Sequence, residues 1–166
     1  MTRPLHRLLA LLAFISAGNQ VPAGTYFMGD LNGIEIQVGA AETAVTALGA
    51  PKIGTNRSLQ ICSPQDPGAP YLLFASGASS PGFNTCAGTI PLRRDRLFQL
   101  SMRSPNVFQG FRGNLDGAGA STQPSFAIPD TPSLLGTSIS FAFVVLDPGA
   151  PCRIKRISVP QQLTIF

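Results

Sequence analysis

The feature that most constrains the fold of this chain is an apolar run at residues 137–146. Because side chains alternate between the two faces of a strand, an extended run would place one apolar set on one face: Ile139, Phe141, Phe143 and Val145. A strand this apolar must bury that face against another layer of structure. The run therefore predicts a long core strand within a packed sheet.

Shorter segments of the same kind surround this run and predict further strands. The segment at 89–92 contains a proline, which places it on a sheet edge. Residues 41–48 fit either two helical turns or a strand. The other predicted strands lie at 58–62, 71–75, 96–102, 106–111, 125–128, 153–159 and 162–166. Turn signals separate the strands at 66–68, 80–82, 116–117 and 147–149. This spacing predicts an antiparallel β-sandwich or jelly-roll rather than βαβ units.

Composition agrees with an all-β fold outside the cell. The chain has 17 glycines and 15 prolines, and only 12% of its residues are charged, against about 25% in an average soluble domain. We expect an all-β, antiparallel, sandwich-like or jelly-roll-like domain at 51–166, after an N-terminal signal segment at 1–23. Residues 24–50 would form an N-terminal extension or the first strands.

The N-terminal segment has the organisation of a secretory signal peptide. Basic residues, Arg3 and Arg7, precede an apolar run at 8–15, and small residues follow. Cleavage is expected after Ala17 or Ala23. The run is shorter than the ~20 residues that span a bilayer as a helix. We therefore predict a secreted or cell-surface protein with no transmembrane span in its mature form.

Loss of this segment would remove the only histidine, His6. A Ser-His-Asp triad would then be impossible, and the carboxylates lie mainly at turns. A calcium loop at 112–117 would need acids in place of Arg112 and Gln123, so a hairpin turn is favoured there. We predict no enzyme, no catalytic, cofactor-binding or metal-binding residues and no cofactor. A hydrolase that uses a carboxylate pair is kept as a remote alternative.

Three cysteines are expected to give one disulfide in an exported chain. Cys62 and Cys86 follow or precede apolar runs, whereas Cys152 lies in a loop-like segment. We predict a Cys62–Cys86 bond, which would join neighbouring strands, although three pairings are possible. The remaining thiol would be inert or would form an intermolecular link.

Arginines cluster around the predicted strand at 96–102. They are Arg93, Arg94, Arg96 and Arg103. The cluster could bind an anionic glycan or a lipid head group, or it could be a solvated edge that discourages sheet-to-sheet aggregation. The formal net charge is only +4 and would fall on cleavage. That balance gives no support for binding to nucleic acid or to an anionic membrane.

Several short motifs recur in an order that resembles a known bacterial domain. They are Ala-Pro-Lys-Ile-Gly at 50–54, Asp-Gly-Ala-Gly at 116–119, the proline corner at 126–136 and the aromatic strand with its Asp-Pro-Gly turn at 141–149. Together they resemble the C-terminal β-domain of uncharacterised exported proteins from planctomycetes and related bacteria. The chain departs from that pattern at 152–156, which is more basic. The resemblance implies a β-domain and export, and it supplies no catalytic residues.

These observations favour an exported, non-enzymatic structural or adhesive module at the cell surface or outside the cell. Its partner would be an envelope protein, an extracellular protein or a glycan, and not nucleic acid. The alternative is a carbohydrate-binding module with an exposed aromatic platform at Tyr26, Tyr71 or a phenylalanine. The absence of tryptophan counts against it.

Overall fold

The computed structural model describes residues 26–27, 37–38 and 43–166. The predicted signal peptide lies outside the described residues. The chain divides into two compact units, residues 1–40 and residues 41–166. In the first unit, two short strands pair antiparallel: β1 (Tyr26–Phe27) and β2 (Gln37–Val38).

The second unit is built almost entirely of antiparallel strands. Its strands are β3 (Ala44–Leu48), β4 (Asn56–Cys62), β5 (Pro70–Ser76), β6 (Phe83–Thr85), β7 (Gly88–Ile90), β8 (Phe108–Gln109), β9 (Arg112–Asn114), β10 (Ala120–Ser121), β11 (Ser125–Ala127), β12 (Ser138–Leu146), β13 (Ile154–Ile157) and β14 (Gln161–Thr164). One α-helix, α1 (Arg96–Arg103), and two 3₁₀ turns (Pro132–Leu134 and Pro151–Arg153) complete the described part of this unit. The segment at 41–48, which fits a helix or a strand by sequence, contains strand β3.

Two sheets form the sandwich. In the first, β4 pairs with β3 on one side and with β10 and β11 in succession on the other, and β11 also pairs with β8. In the second, β12 pairs with β5 on one side and with β13 and β14 in succession on the other, while β5 also pairs with β9. The predicted all-β, antiparallel sandwich is confirmed.

The space between the sheets holds the main hydrophobic core. The predicted core face of β12 lies there, with Phe141, Phe143 and Val145 fully buried and Ile139 packed at the margin. The first sheet contributes buried side chains opposite them, which include Leu59, Ile61 and Phe126. The alternation in the β12 sequence therefore identified the inner face of the sandwich correctly.

The opposite face of β12 is also buried, because a third layer covers it. Ala142 and Val144 pack in a second cluster with Phe98 of α1 and with Ile90 and Leu92, which lie at and after the end of β7. Strands β6 and β7 form a separate antiparallel hairpin in this layer. The second sheet is thus enclosed by the first sheet on one face and by α1 and the hairpin on the other.

The strand predicted at 96–102 is wrong, since these residues form α1. Phe98, Leu100 and Met102 alternate as a strand would, but Asp95 begins a helix by accepting a hydrogen bond from the Phe98 backbone N–H at 2.8 Å. This is a helix N-cap, which satisfies one of the free N–H groups of the first turn. Within the described residues, no helix is long and apolar enough to cross a membrane.

Candidate functional site: a basic helix surface

Helix α1 is fixed to the sandwich at its N-terminus by the carboxylate of Asp95. While one carboxylate oxygen caps Phe98, the other accepts hydrogen bonds from the Gly77 N–H at 2.8 Å and the Ser76 hydroxyl at 3.0 Å. Burial raises the pKa of Asp95, but these hydrogen bonds outweigh burial and hold the pKa below its ordinary value. Asp95 therefore stays ionised and joins α1 to the end of β5.

The buried side of α1 completes the bonding of β5. The Ser101 hydroxyl accepts a hydrogen bond from the Ala75 N–H at 3.2 Å and donates to the Phe98 carbonyl at 2.8 Å. Phe98 stacks on Phe74 with ring centroids 5.1 Å apart, and it meets Phe83 of the hairpin edge-on at 5.3 Å. These contacts determine which side of the helix faces inward and which faces solvent.

The four arginines predicted as an anion-binding cluster are all exposed around this helix, not around a strand. Arg96 and Arg103 begin and end α1 seven residues apart, so they project from one face. The Arg94 guanidinium lies 4.8 Å from the centroid of the Phe83 ring, a cation–π contact that orients it. All four predicted arginines thus lie in α1 or in the three residues before it.

Two exposed apolar side chains lie on the same helix. The side chains Leu100 and Met102 retain 44% and 37% of their accessible area. The sequence interpretation missed them as surface residues, because a strand at 96–102 would have placed them beside Phe98 in a core. Successive residues of an α-helix are about 100° apart, so Leu100 lies on the side of Arg96 and Arg103, whereas Met102 lies about 200° from Leu100. We call the four arginines together with Leu100 the basic helix surface.

The positive charge of this surface is only slightly offset. In the stretch 43–166, the ion pairs are those that Asp66 makes with Lys155 and Arg156. Arg93 is close enough to Asp95 to help lower its pKa, so its charge is partly balanced. Arg94, Arg96 and Arg103 make no ion pair with any residue that the structure describes.

The disulfide differs from the predicted one and bears on this site. The predicted Cys62–Cys86 pairing is wrong: Cys86 is bonded to Cys152, and Cys62 is a free thiol. Cys62 ends β4 in the first sheet, whereas Cys86 lies at the tip of the β6–β7 hairpin, on the far side of the second sheet. The bond ties the hairpin to the turn before β13, and the hairpin in turn carries Phe83 against α1 and Arg94.

The free thiol has no sign of activation. Burial, followed by the negative charge of Asp116, raises the pKa of Cys62. A thiol with a raised pKa holds less thiolate at neutral pH and is a weaker nucleophile.

Asp66 is a second site that sequence reasoning missed, because its Asp-Pro-Gly context indicated only a turn. Its side chain is fully buried, with Oδ1 2.8 Å from Lys155 Nζ and Oδ2 2.6 Å from Arg156 Nε. The Ser63 hydroxyl also donates to Oδ2 at 2.7 Å. Burial raises the pKa of Asp66. The hydrogen bonds from Lys155, Ser63 and Arg156, together with the Arg156 charge, lower it by more, so the pKa is held below its ordinary value.

This arrangement predicts a pH-dependent contribution to stability. Because the folded pKa of Asp66 is below its unfolded value of about 3.9, the stabilisation is complete above about pH 5 and is lost as the pH falls through the folded pKa. Asp66→Asn should lower the free energy of unfolding by about 2 kcal/mol at pH 7. Urea titrations at pH 7 and pH 3 would measure this.

The exposed Asp130 provides the matched control for that measurement. The difference in stability between wild type and Asp66→Asn should shrink at pH 3, while Asp130→Asn should follow wild type at both pH values. An Asp66→Asn variant that keeps wild-type stability at pH 7 would show that the two ion pairs contribute nothing.

Other residues that the sequence analysis considered for a site have structural roles instead. Tyr71 is buried, and its hydroxyl donates to the Gly110 carbonyl at 2.8 Å, so it cannot form an exposed platform for a sugar. The side chain of Tyr26 lies outside the described part of the chain. At the Asp-Gly turn, Asp116 accepts from the N–H groups of Ala118 and Ala120. Across the described residues, no group of three or more His, Cys, Asp or Glu side chains could hold a metal ion.

Comparisons with known proteins identify no relative. No family model, curated protein or solved structure matches this chain.

Proposed function

We propose that this chain is an exported, non-enzymatic structural or adhesive β-sandwich module that acts at the cell surface or outside the cell. The observation that carries the proposal is the basic helix surface, where Arg94, Arg96 and Arg103 are displayed at a helix fixed to the sandwich and make no ion pair with any residue that the structure describes. Such a surface suits attachment to an anionic partner.

The way in which the described carboxylates are used favours binding over hydrolysis. Among the described aspartates, Asp66 and Asp95 are held by internal hydrogen bonds, and Asp116 and Asp147 accept hydrogen bonds from turn N–H groups. Asp130 is exposed. A glycoside hydrolase needs two carboxyl groups free to face a substrate. Export is supported by the N-terminal pattern and by the Cys86–Cys152 bond, which is typical of oxidising compartments. Origin in a planctomycete-type exported protein is part of this proposal and rests on the motif resemblance alone.

Cell fractionation with intact-mass measurement tests the proposal in the cells that produce the protein. We expect the mature chain to begin at Gly18 or Gly24 and to sediment with the envelope at low salt. Arg96→Gln/Arg103→Gln should move most of the protein into the medium, because it removes two of the three arginines of this surface that have no ion-pair partner within residues 43–166. Lys52→Gln, an exposed cation between β3 and β4, is the control and should remain with the envelope. Intact Met1 on a protein confined to the cell interior would refute export.

A further inference from the structure

The outward face of α1 combines charge with apolar area. Arg96, Leu100 and Arg103 are spaced four and three residues apart, so they are neighbours along one side of the helix. Met102 is exposed as well, but it follows Leu100 by two residues and so lies on another side of the helix. A single exposed leucine needs no explanation, but Leu100 lies between Arg96 and Arg103, which have no ion-pair partners within residues 43–166.

The position of the helix makes this face accessible to a flat partner. Helix α1 covers the outer face of the second sheet through Phe98 and Ser101, so the opposite side of the helix is directed away from the sandwich. Arg94 flanks the helix and is already oriented by Phe83. A partner approaching from outside would meet Arg96, Leu100 and Arg103 at the same time.

We propose that the basic helix surface docks on an anionic lipid surface. The arginines would bind lipid phosphate groups, and Leu100 between them would enter the boundary between head groups and acyl chains. An anionic polysaccharide would satisfy the arginines but would offer no hydrocarbon to Leu100. The inference rests on the proposed attachment function and names the chemistry of its partner.

Net charge alone does not predict this site. The formal charge of the chain is only +4, which gave no support for membrane binding. The fold changes that conclusion, because it places Arg94, Arg96 and Arg103 at one exposed helix, where none of them makes an ion pair with a residue that the structure describes. Asp95 stays ionised there and balances part of the Arg93 charge. The local charge of the basic helix surface is therefore more positive than the average over the chain indicates.

Vesicle co-sedimentation of the mature, oxidised protein tests the inference. The probe is phosphatidylcholine vesicles with and without phosphatidylglycerol. We expect binding only to the anionic vesicles and a loss of about 25-fold in partitioning for Arg96→Gln/Arg103→Gln, at about fivefold per arginine. Leu100→Gln should lower partitioning by about fivefold, and this loss should persist when salt weakens the arginine contribution.

Lys52→Gln should bind the anionic vesicles as wild type does, and circular dichroism would confirm that every variant is folded. Equal binding to neutral and anionic vesicles would overturn the inference. So would wild-type binding by Leu100→Gln together with capture by a soluble sulfated polysaccharide, which would identify a polymer-binding surface. Envelope association in the absence of vesicle binding would refute the lipid inference and leave the proposed attachment function standing.

Discussion

Replacing Phe141 with alanine is expected to lower the free energy of unfolding by about 3–5 kcal/mol. Phe141 is completely buried at the centre of β12, and its ring contacts those of Phe126 at 5.0 Å and Phe111 at 6.4 Å between centroids. Its strand is paired on both edges and packed on both faces. The cavity therefore cannot collapse easily, and most of the lost contact energy should be measurable by chemical denaturation.

Phe166→Ala is the matched control, since this phenylalanine is 67% exposed. Its stability should change by less than about 1 kcal/mol. Because typical domains are stable by only about 5–15 kcal/mol, Phe141→Ala could fail to fold. Phe141→Leu keeps most of the apolar volume and should retain a cooperative transition at reduced stability. Equal losses for Phe141→Leu and Phe166→Ala would contradict the assignment of Phe141 to the core.

Strand β12 shows which features of the fold can be predicted from the sequence and which cannot. Alternation identified the inner face of β12, because Phe141 and Phe143 are large and lie two residues apart. The same run is also apolar at Ala142 and Val144, which is typical of a strand buried on both faces. That signal was present in the sequence, but it could not say which segments form the covering layer.

Helix α1 was missed because two local patterns conflict. Phe98, Leu100 and Met102 follow the period of a strand, whereas Asp95 is a good N-cap three residues before Phe98. In the folded chain, the cap and the contacts of Ser101 with β5 favour the helix. The arginines of the candidate site were found from their clustering along the sequence, but the site itself depends on Leu100 facing outward between Arg96 and Arg103. A strand interpretation hides that feature.

The disulfide could not be derived from sequence spacing. Cys62 and Cys86 are close along the chain, but the second sheet lies between them. Cys62 ends β4 on one side of that sheet, and Cys86 lies at the tip of the β6–β7 hairpin on the other. Cys152 is 66 residues from Cys86, and only the third layer brings them together. Pairing in this chain follows the order of layers, which depends on the whole tertiary fold.

Removing the Cys86–Cys152 bond should cause the second large loss of stability, after Phe141→Ala. Closing a loop of this length restricts the unfolded chain, and a loop-entropy model gives a contribution of about 4 kcal/mol. In guanidinium titrations, we expect the free energy of unfolding of Cys86→Ser/Cys152→Ser to be lower than that of oxidised wild type by about this amount. Reduced wild type should show the same loss. Cys62→Ser, which removes the free thiol, should stay close to wild type when oxidised. Greater loss in Cys62→Ser than in the double variant would contradict the assigned pairing.

The bond should also affect the basic helix surface more than the sandwich core. The hairpin that it anchors places Phe83 against Phe98 and beneath Arg94, whereas Phe141 and its neighbours are enclosed by the two sheets. Hydrogen exchange on the reduced protein should therefore accelerate first in β6, β7 and α1, with β12 still protected. Uniform acceleration across all strands would instead mean that the third layer and the sandwich unfold as one cooperative unit.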